Sequence, residues 1–301
     1  MKKFLYYLFL IGLVVFVYFY KEQIVKFIME LVNPREEVNL DYKNSYYLKY
    51  KYNYFNKLTS VDVHSKKDIF DVYYNVTNNG YDRFTFYCPD DYDACLDDLN
   101  SLVFDQKTLS IINGFVHPFN SFQNIRTEYN SLGEISLEIV KTYSQEDIDL
   151  INEKVQEIIN NEIKDERDHR KIIKIVHDYI INHTKYDKDR ADNNVIKYRS
   201  NTAYGVLFEG YGICGGYTDT MAIFLDYFDI PNFEIASENH IWNVVYIDGQ
   251  WLHLDLTWDD PIISSGEEIL SDTYFLITSE QLREINDVQH NYDTAVYKEV
   301  A

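Results

Sequence analysis

Two alternating runs, residues 240–247 and 250–255, flank the dipeptide Asp248-Gly249. Asp-Gly between such runs is a strong hairpin signal, because the favoured two-residue turn needs φ > 0 at both central positions. That turn pairs Ile247 with Gln250. Counting back sets Trp242 opposite Asp255 and His240 opposite Thr257. Opposed residues share a face, as do alternate residues of one strand. His240 and Asp255 are then diagonal neighbours, about 7–8 Å apart at the backbone and within side-chain reach. His253 falls on the same face nearer the turn, a rival base to the favoured His240. A bulge would slip this register. All three tryptophans, Trp242, Trp251 and Trp258, lie in or beside this hairpin. They suit a core, and Trp242 shares the face of His240, where it could wall that ring from water.

Upstream, "EGYGICGGYTDTMAIFLDYF" sets Cys214 among glycines, five of the chain's 11 falling between Gly205 and Gly216. Glycine permits φ > 0 and close backbone approach, so the cluster predicts a tightly folded loop. The helix that follows buries Tyr217, Met221, Phe224, Leu225 and Phe228, with Cys214 at its mouth. Two readings compete: a small buried hydrophobe, or a reactive thiol. At a helix N-terminus the free N–H groups and the dipole favour a thiolate, and can receive an oxyanion. An imidazole backed by a carboxylate and facing that thiol is the nucleophile–base–orienter arrangement of covalent catalysis.

The 301 residues are 46% hydrophobic and 26% charged, with 28 tyrosines and a formal net charge of −21. That balance lacks the basic footprint nucleic-acid binding needs, and it favours cationic partners. Residues 1–32 open with two lysines and an uncharged run from Phe4 to Tyr20. No small residues suited to cleavage follow, so the expectation is an uncleaved signal anchor with the catalytic half extracellular. Asn33-Pro34 should stop its helix. Residues 33–60 read as a polar, tyrosine-rich tether, 61–143 as a small α/β region, and 144–301 as the catalytic domain. Within 61–143, "KKDIFDVYYNVTNNG" looks helical, and "RTEYNSLGEISLEIVKTY" looks like two strands around a turn. The acidic run 90–98 reads as a solvated face. Cys88 and Cys95 are either a disulfide, which an exported chain permits, or two separate thiols. Ser144 with Asp147 forms a capping box for a long helix. His177 and His183 follow on a second helix, one partly buried and one solvated; His290, in the polar tail, reads as surface.

The pieces "HDYIINHTKYD", "TAYGVLFEGYGICGGYTDTMAIFL", "NHIWNVVYIDGQWLHLDLTWDDP" and "TYFLIT" together resemble the transglutaminase-like superfamily, the papain-related thiol enzymes, and within it the bacterial membrane-attached or secreted members. The resemblance covers about residues 168–280. It implies an α+β fold, with a central helix carrying the cysteine packed on an antiparallel sheet. It further implies Cys214 as nucleophile, His240 as base and Asp255 as orienter, with no cofactor or metal and a peptide or protein substrate. A second oxyanion donor does not carry over cleanly; Tyr204 is the candidate. The function expected is a membrane-anchored enzyme acting on amide bonds through a thioester, by hydrolysis or by transfer to an amine. The alternatives are a surface binding module on the same fold and, further off, a redox or metal protein, which lacks a second cysteine near Cys214.

Overall fold

The computed structural model describes residues 2–32, 38–130, 133–261 and 270–301. Asn33-Pro34 and the middle of the turn after Asn130 lie outside the described residues. The first helix, α1 (Lys2–Val32), carries a span, Lys3–Lys21, with mean hydropathy 1.9, long and apolar enough to cross a membrane. Within that span nearly all the apolar side chains are exposed, Phe4 at 69% and Phe19 at 71%.

The first folded layer holds α2 (Lys66–Asn79), β1 (Arg83–Tyr87), α3 (Cys95–Val103), α4 (Gln106–Gly114), β2 (Phe122–Tyr129) and β3 (Glu134–Lys141). Helix α2 starts where Ser65 accepts a hydrogen bond from Asp68 N and stops at Gly80, whose φ of 83° suits glycine alone among common residues. The three strands form an antiparallel sheet in the order β1-β3-β2. Cys88 and Cys95 form a disulfide with a Cα–Cα distance of 5.9 Å, joining the end of β1 to the start of α3.

The second layer holds α5 (Gln145–Ile158), α6 (His169–His183), β4 (Lys185–Tyr186), α7 (Lys188–Asn193), β5 (Tyr211–Gly212) and α8 (Cys214–Tyr227). Between it and the first layer lies the sheet of β6 (Asn232–Ala236), β7 (Ile241–Ile247) and β8 (Gln250–Leu254), antiparallel in the order β6-β7-β8. A short helix, α9 (Ser279–Ile285), precedes the C-terminal tail. The capping box forms as read: Ser144 accepts from Asp147 N, and Asp147 accepts from Ser144 N. The fold is α+β with antiparallel sheets.

The hairpin register is the one counted from the turn. Ile247 pairs with Gln250 and Val244 with His253, and both Asp248 and Gly249 have positive φ. This sheet is buried on both faces. Val245, Ile247, Leu252 and Leu254 pack with Ile151, Ile172 and Met221 of the helices. Phe233, Ile235, Trp242 and Val244 pack with Phe115 and the first layer. Phe115 lies parallel to Phe233 at 5.0 Å.

Of the polar, tyrosine-rich tether expected over 33–60, residues 38–60 are described. They have little regular structure, but Leu40, Tyr52 and Phe55 are buried in the core shared by the first layer and the sheet. Tyr52 also donates its hydroxyl to Asn232 O. The reason is composition: burying a large apolar or aromatic side chain stabilises by roughly 1.5–3 kcal/mol, more than a solvated strand of the same residues would gain.

Three carboxyls are enclosed between these layers. Burial raises Asp219 to about 7, Asp226 to about 8 and Glu234 well above the usual range. Burial also pushes His117 and His253 down to about 3. The carboxyls keep protons that the unfolded chain releases near pH 4, so each contributes stability that is lost as pH rises toward its folded value. The two imidazoles act oppositely between about pH 3 and the unfolded value near 6.5. Below about pH 6.5 these effects oppose each other, three carboxyls against two imidazoles, and above it the carboxyls act together with the raised His240 ring, which also loses its stabilising proton as pH rises. The melting temperature should therefore fall gently from about pH 4.5 to 6.5 and more steeply from there to about 8, with Asp226→Asn flattening the fall. Scanning calorimetry across this range checks it; a melting temperature rising through pH 7 would contradict the assignment.

Candidate active site

Cys214 is the first residue of α8. Ile213 before it is extended and makes no side-chain cap, whereas Ser65, Ser144 and Asp168 cap α2, α5 and α6. An α-helix leaves its first N–H groups without acceptors of its own, so the amides at Cys214 stay available. The glycine cluster mainly serves close approach. A Cβ on Gly216 would stand 2.3 Å from Ser200 O, so only glycine lets the first turn of α8 rest on the preceding loop. Ser200 O also accepts from Ile213 N at 2.7 Å. One turn along, Thr218 donates to Ile241 O at 3.1 Å, and Asn243 Nδ2 donates to Thr218 O at 3.1 Å. These bonds fix the mouth of α8 against the start of β7, beside His240.

The Cys214 thiol, half-buried, shares a cavity wall with His240 and lies near enough to raise its ring electrostatically. His240 is buried and donates Nε2–H to Asp255 Oδ2 at 2.5 Å, which leaves Nδ1 as the ring nitrogen available to the thiol. Trp242 lies nearly parallel to the His240 ring at 5.7 Å. Burial disfavours the charged ring, but the Asp255 carboxylate, the bond to it and the nearby Cys214 outweigh it, and His240 is pushed up to about 10. That contribution to stability is full below the unfolded value near 6.5 and is lost as pH rises through about 10.

Asp255 is 2% exposed, and all of its acceptor positions are engaged. Oδ1 accepts from Thr257 N at 2.9 Å and Trp258 N at 3.2 Å. Oδ2 accepts from His240 and, at 2.8 Å, from Nε2 of His290. Burial alone would raise this carboxyl, but the charge of His240 and the bonds from His240 and His290 hold it well below the usual range. Four residues on, Asp259 accepts from Tyr274 N at 2.9 Å and meets Nε2 of His177 at 3.2 Å. Its own amide donates to Asp255 O, so His177 anchors the loop that carries Asp255.

The structure brings Cys214, His240 and Asp255 together and separates the rival base. His253 is 1% exposed, accepts from Trp242 Nε1 at 3.0 Å and meets Ser279 Oγ at 3.1 Å, so both ring nitrogens are occupied away from sulfur. His177 is wholly buried, deeper than the partial burial expected, and His183 is exposed as expected. His290, expected at the surface, is buried against Asp255 instead, because the tail folds back over the hairpin. Nothing local in the sequence signals this, since the bond spans 35 residues. Tyr204 does not line the cavity at Cys214: it lies under the Arg199 guanidinium at 4.2 Å and beside Phe208. Tyr186 is placed otherwise. It lines the same cavity, of about 820 Å³, as Cys214, His240, Asn201, Trp258 and Gln289. Burial, then the charge of Cys214, raises the Tyr186 phenol above its ordinary value, so it keeps its proton.

His240, Asp255 and His290 also group as candidate metal ligands. Their spacing is that of hydrogen bonds. Nitrogen and oxygen ligands of zinc sit about 2.0–2.2 Å from the ion, which keeps them roughly 3 Å or more apart, beyond the 2.5 and 2.8 Å found here.

A helix-mouth thiol, an imidazole on the adjacent strand end and a carboxylate behind it thus lie in one antiparallel-sheet domain. Residues 155–256 match the family model described as the transglutaminase-like superfamily. Among solved structures, the chain is similar to one described as a TGase, with a TM-score of 0.35 and 16% identity, over 64% of this chain and 54% of that one. It is also similar to a candidate cysteine protease from Cytophaga hutchinsonii, with a TM-score of 0.28 and 13% identity, over 49% of this chain and 65% of that one. Both matches span less than two thirds of the other chain. No curated protein matches the chain.

His253→Ala should destabilise the fold by roughly 2–4 kcal/mol, through the cavity and the orphaned Trp242 indole N–H. Alkylation of Cys214 by iodoacetamide should keep its wild-type rate. Chemical denaturation and alkylation kinetics measure the two effects; lost alkylation in a folded His253→Ala protein would make His253 the base.

Proposed function

We propose that this chain is a membrane-anchored thiol enzyme that acts on amide bonds of peptides or proteins through a thioester on Cys214. The observation that supports it is that Cys214 and His240 line one cavity of about 820 Å³ while the His240 ring is bonded behind to the buried Asp255. In this reading the proton of the thiol already rests on Nδ1 of His240, whose ring is held charged by Asp255, and the thiolate sulfur attacks the amide carbonyl carbon. The oxygen, now negative, is received by the Cys214 amide and the Tyr186 hydroxyl. Collapse breaks the C–N bond, and the imidazolium gives its proton to the departing nitrogen. Water then enters, His240 takes one of its protons, and attack on the thioester breaks the C–S bond to release a carboxylic acid and the thiolate. An amine in place of water would give a new amide.

The cavity walls favour the hydrolytic branch. Tyr204, Tyr211 and Tyr217, which would dry an approach to the acyl carbon, do not line the cavity, and Trp242 backs the His240 ring instead. Arg190, Asp192, Asn194, Asn239 and Gln289 line it, and such groups hold water.

To test the reaction, the full chain in detergent micelles is incubated with a glutamine-bearing protein and a labelled primary amine, and products are followed by mass spectrometry. The expected result is deamidation or chain cleavage exceeding label incorporation. Cys214→Ala should abolish it, and Tyr186→Phe should lower turnover roughly 10²-fold. Equal product from wild type and Cys214→Ala would end the nucleophile reading, and label without hydrolysis would reverse the preferred branch.

The reading also sets α1 in the membrane and the folded layers outside the cell. The apolar span Lys3–Lys21 and the Cys88–Cys95 disulfide, a bond suited to oxidising compartments, support it. Protease treatment of intact cells should release the folded part; a protected full-length chain would place it inside.

A further inference from the structure

Asp255 Oδ2 serves two imidazoles, and the reaction above uses only His240. The other, His290, ends the short turn Val288–His290, whose preceding residue Asp287 caps it by accepting from Gln289 N. Its ring is clamped on several sides. Tyr274 lies nearly parallel to it at 4.8 Å, Trp242 stands edge-on at 4.9 Å, and Trp258 is at 5.5 Å. Nε2 reaches Asp255 at 2.8 Å, while Nδ1 is buried without a hydrogen-bond partner among the described residues. A carboxylate only accepts, so Nε2 carries hydrogen, and Nδ1 as a bare lone pair avoids burying an unmatched N–H.

A carboxylate offers about four acceptor directions. Thr257 N, Trp258 N, His240 and His290 together fill them. We propose that His290 is a positioning residue of the Cys214 site, which locks the rotation of the Asp255 carboxylate so that one lone pair of Oδ2 faces the Nε2–H of His240. The proposal rests on the reading of Cys214 as nucleophile for its effect on turnover, but its structural claim stands apart from it. Two backbone amides alone hold only Oδ1. Without His290, Oδ2 keeps a buried direction unmet, and the carboxylate gains by turning toward water, which loosens His240 and with it the line to sulfur. The same link joins Asp255 to the cavity, because Gln289 beside His290 lines it.

The test uses the full chain in micelles with histidine labelled by 15N, comparing wild type, His290→Phe and His290→Gln. Phenylalanine keeps the ring packing and removes the donor; glutamine restores an N–H at similar reach. In wild type the His240 Nε2–H should give a low-field, slowly exchanging proton signal, and His290 should show the Nε2–H tautomer. His290→Phe should lose the His240 signal to exchange, and His290→Gln should recover it. Turnover should fall roughly tenfold or more in kcat, with KM unchanged, in the phenylalanine variant alone. A His290 found as the Nδ1–H tautomer in wild type, or a His240 signal unaltered in folded His290→Phe, would overturn the proposal. If the signals respond as described while wild type shows no turnover and no thiol labelling, the positioning holds and the nucleophile reading fails.

Discussion

A buried carboxylate costs several kcal/mol unless its charge is met at every acceptor direction. Asp255 meets that condition with donors from three separate parts of the chain. His240 comes from the start of β7, Thr257 and Trp258 from the loop after β8, and His290 from the C-terminal tail. The carboxylate therefore fixes where these parts end relative to one another. The mouth of α8 is added to the same frame through Thr218 and Asn243, which join the helix to β7. Asp259 repeats the device one turn along the loop, with His177 from α6 and the Tyr274 amide as its donors.

The sheet that carries this frame is held between two apolar layers, and that explains the depth of its polar groups. Helices α5, α6 and α8 cover one face, and the aromatic layer around Phe115 and Tyr52 covers the other. Trp242 shows the consequence for a single side chain. It is 0% exposed, its indole N–H is satisfied by His253, and its face backs the His240 ring. The ring that would serve catalysis is thus set by packing as much as by hydrogen bonds.

Features that depend on neighbours in sequence were legible. The Asp248-Gly249 turn fixed the pairing of β7 with β8, because a two-residue turn admits one register. The Ser144 capping box and the Gly80 stop were equally local. Features made by distant folding were not. The strap of residues 38–60 looked like a polar tether because its polar residues are interspersed with tyrosines, and only the matching surface of Phe115 and Phe233 makes burial pay. His290 sits in a tail with no periodicity, and its partner lies 35 residues away. Tyr186 was passed over because β4 and β5 pair over only two residues each, too briefly to read from a pattern.

The packed strap also sets a working radius. Helix α1 ends at Val32, and the chain is already seated on the folded body by Leu40, which is 2% exposed. Whatever path it takes, a segment of that length reaches no further than about 3.3–3.6 Å per residue, or roughly 30 Å in all. A loose tether through residue 60 would have more than tripled that leash. Were α1 held in a bilayer, the cavity at Cys214 would stay near the lipid surface, and the proposed reaction would meet molecules that come to the membrane.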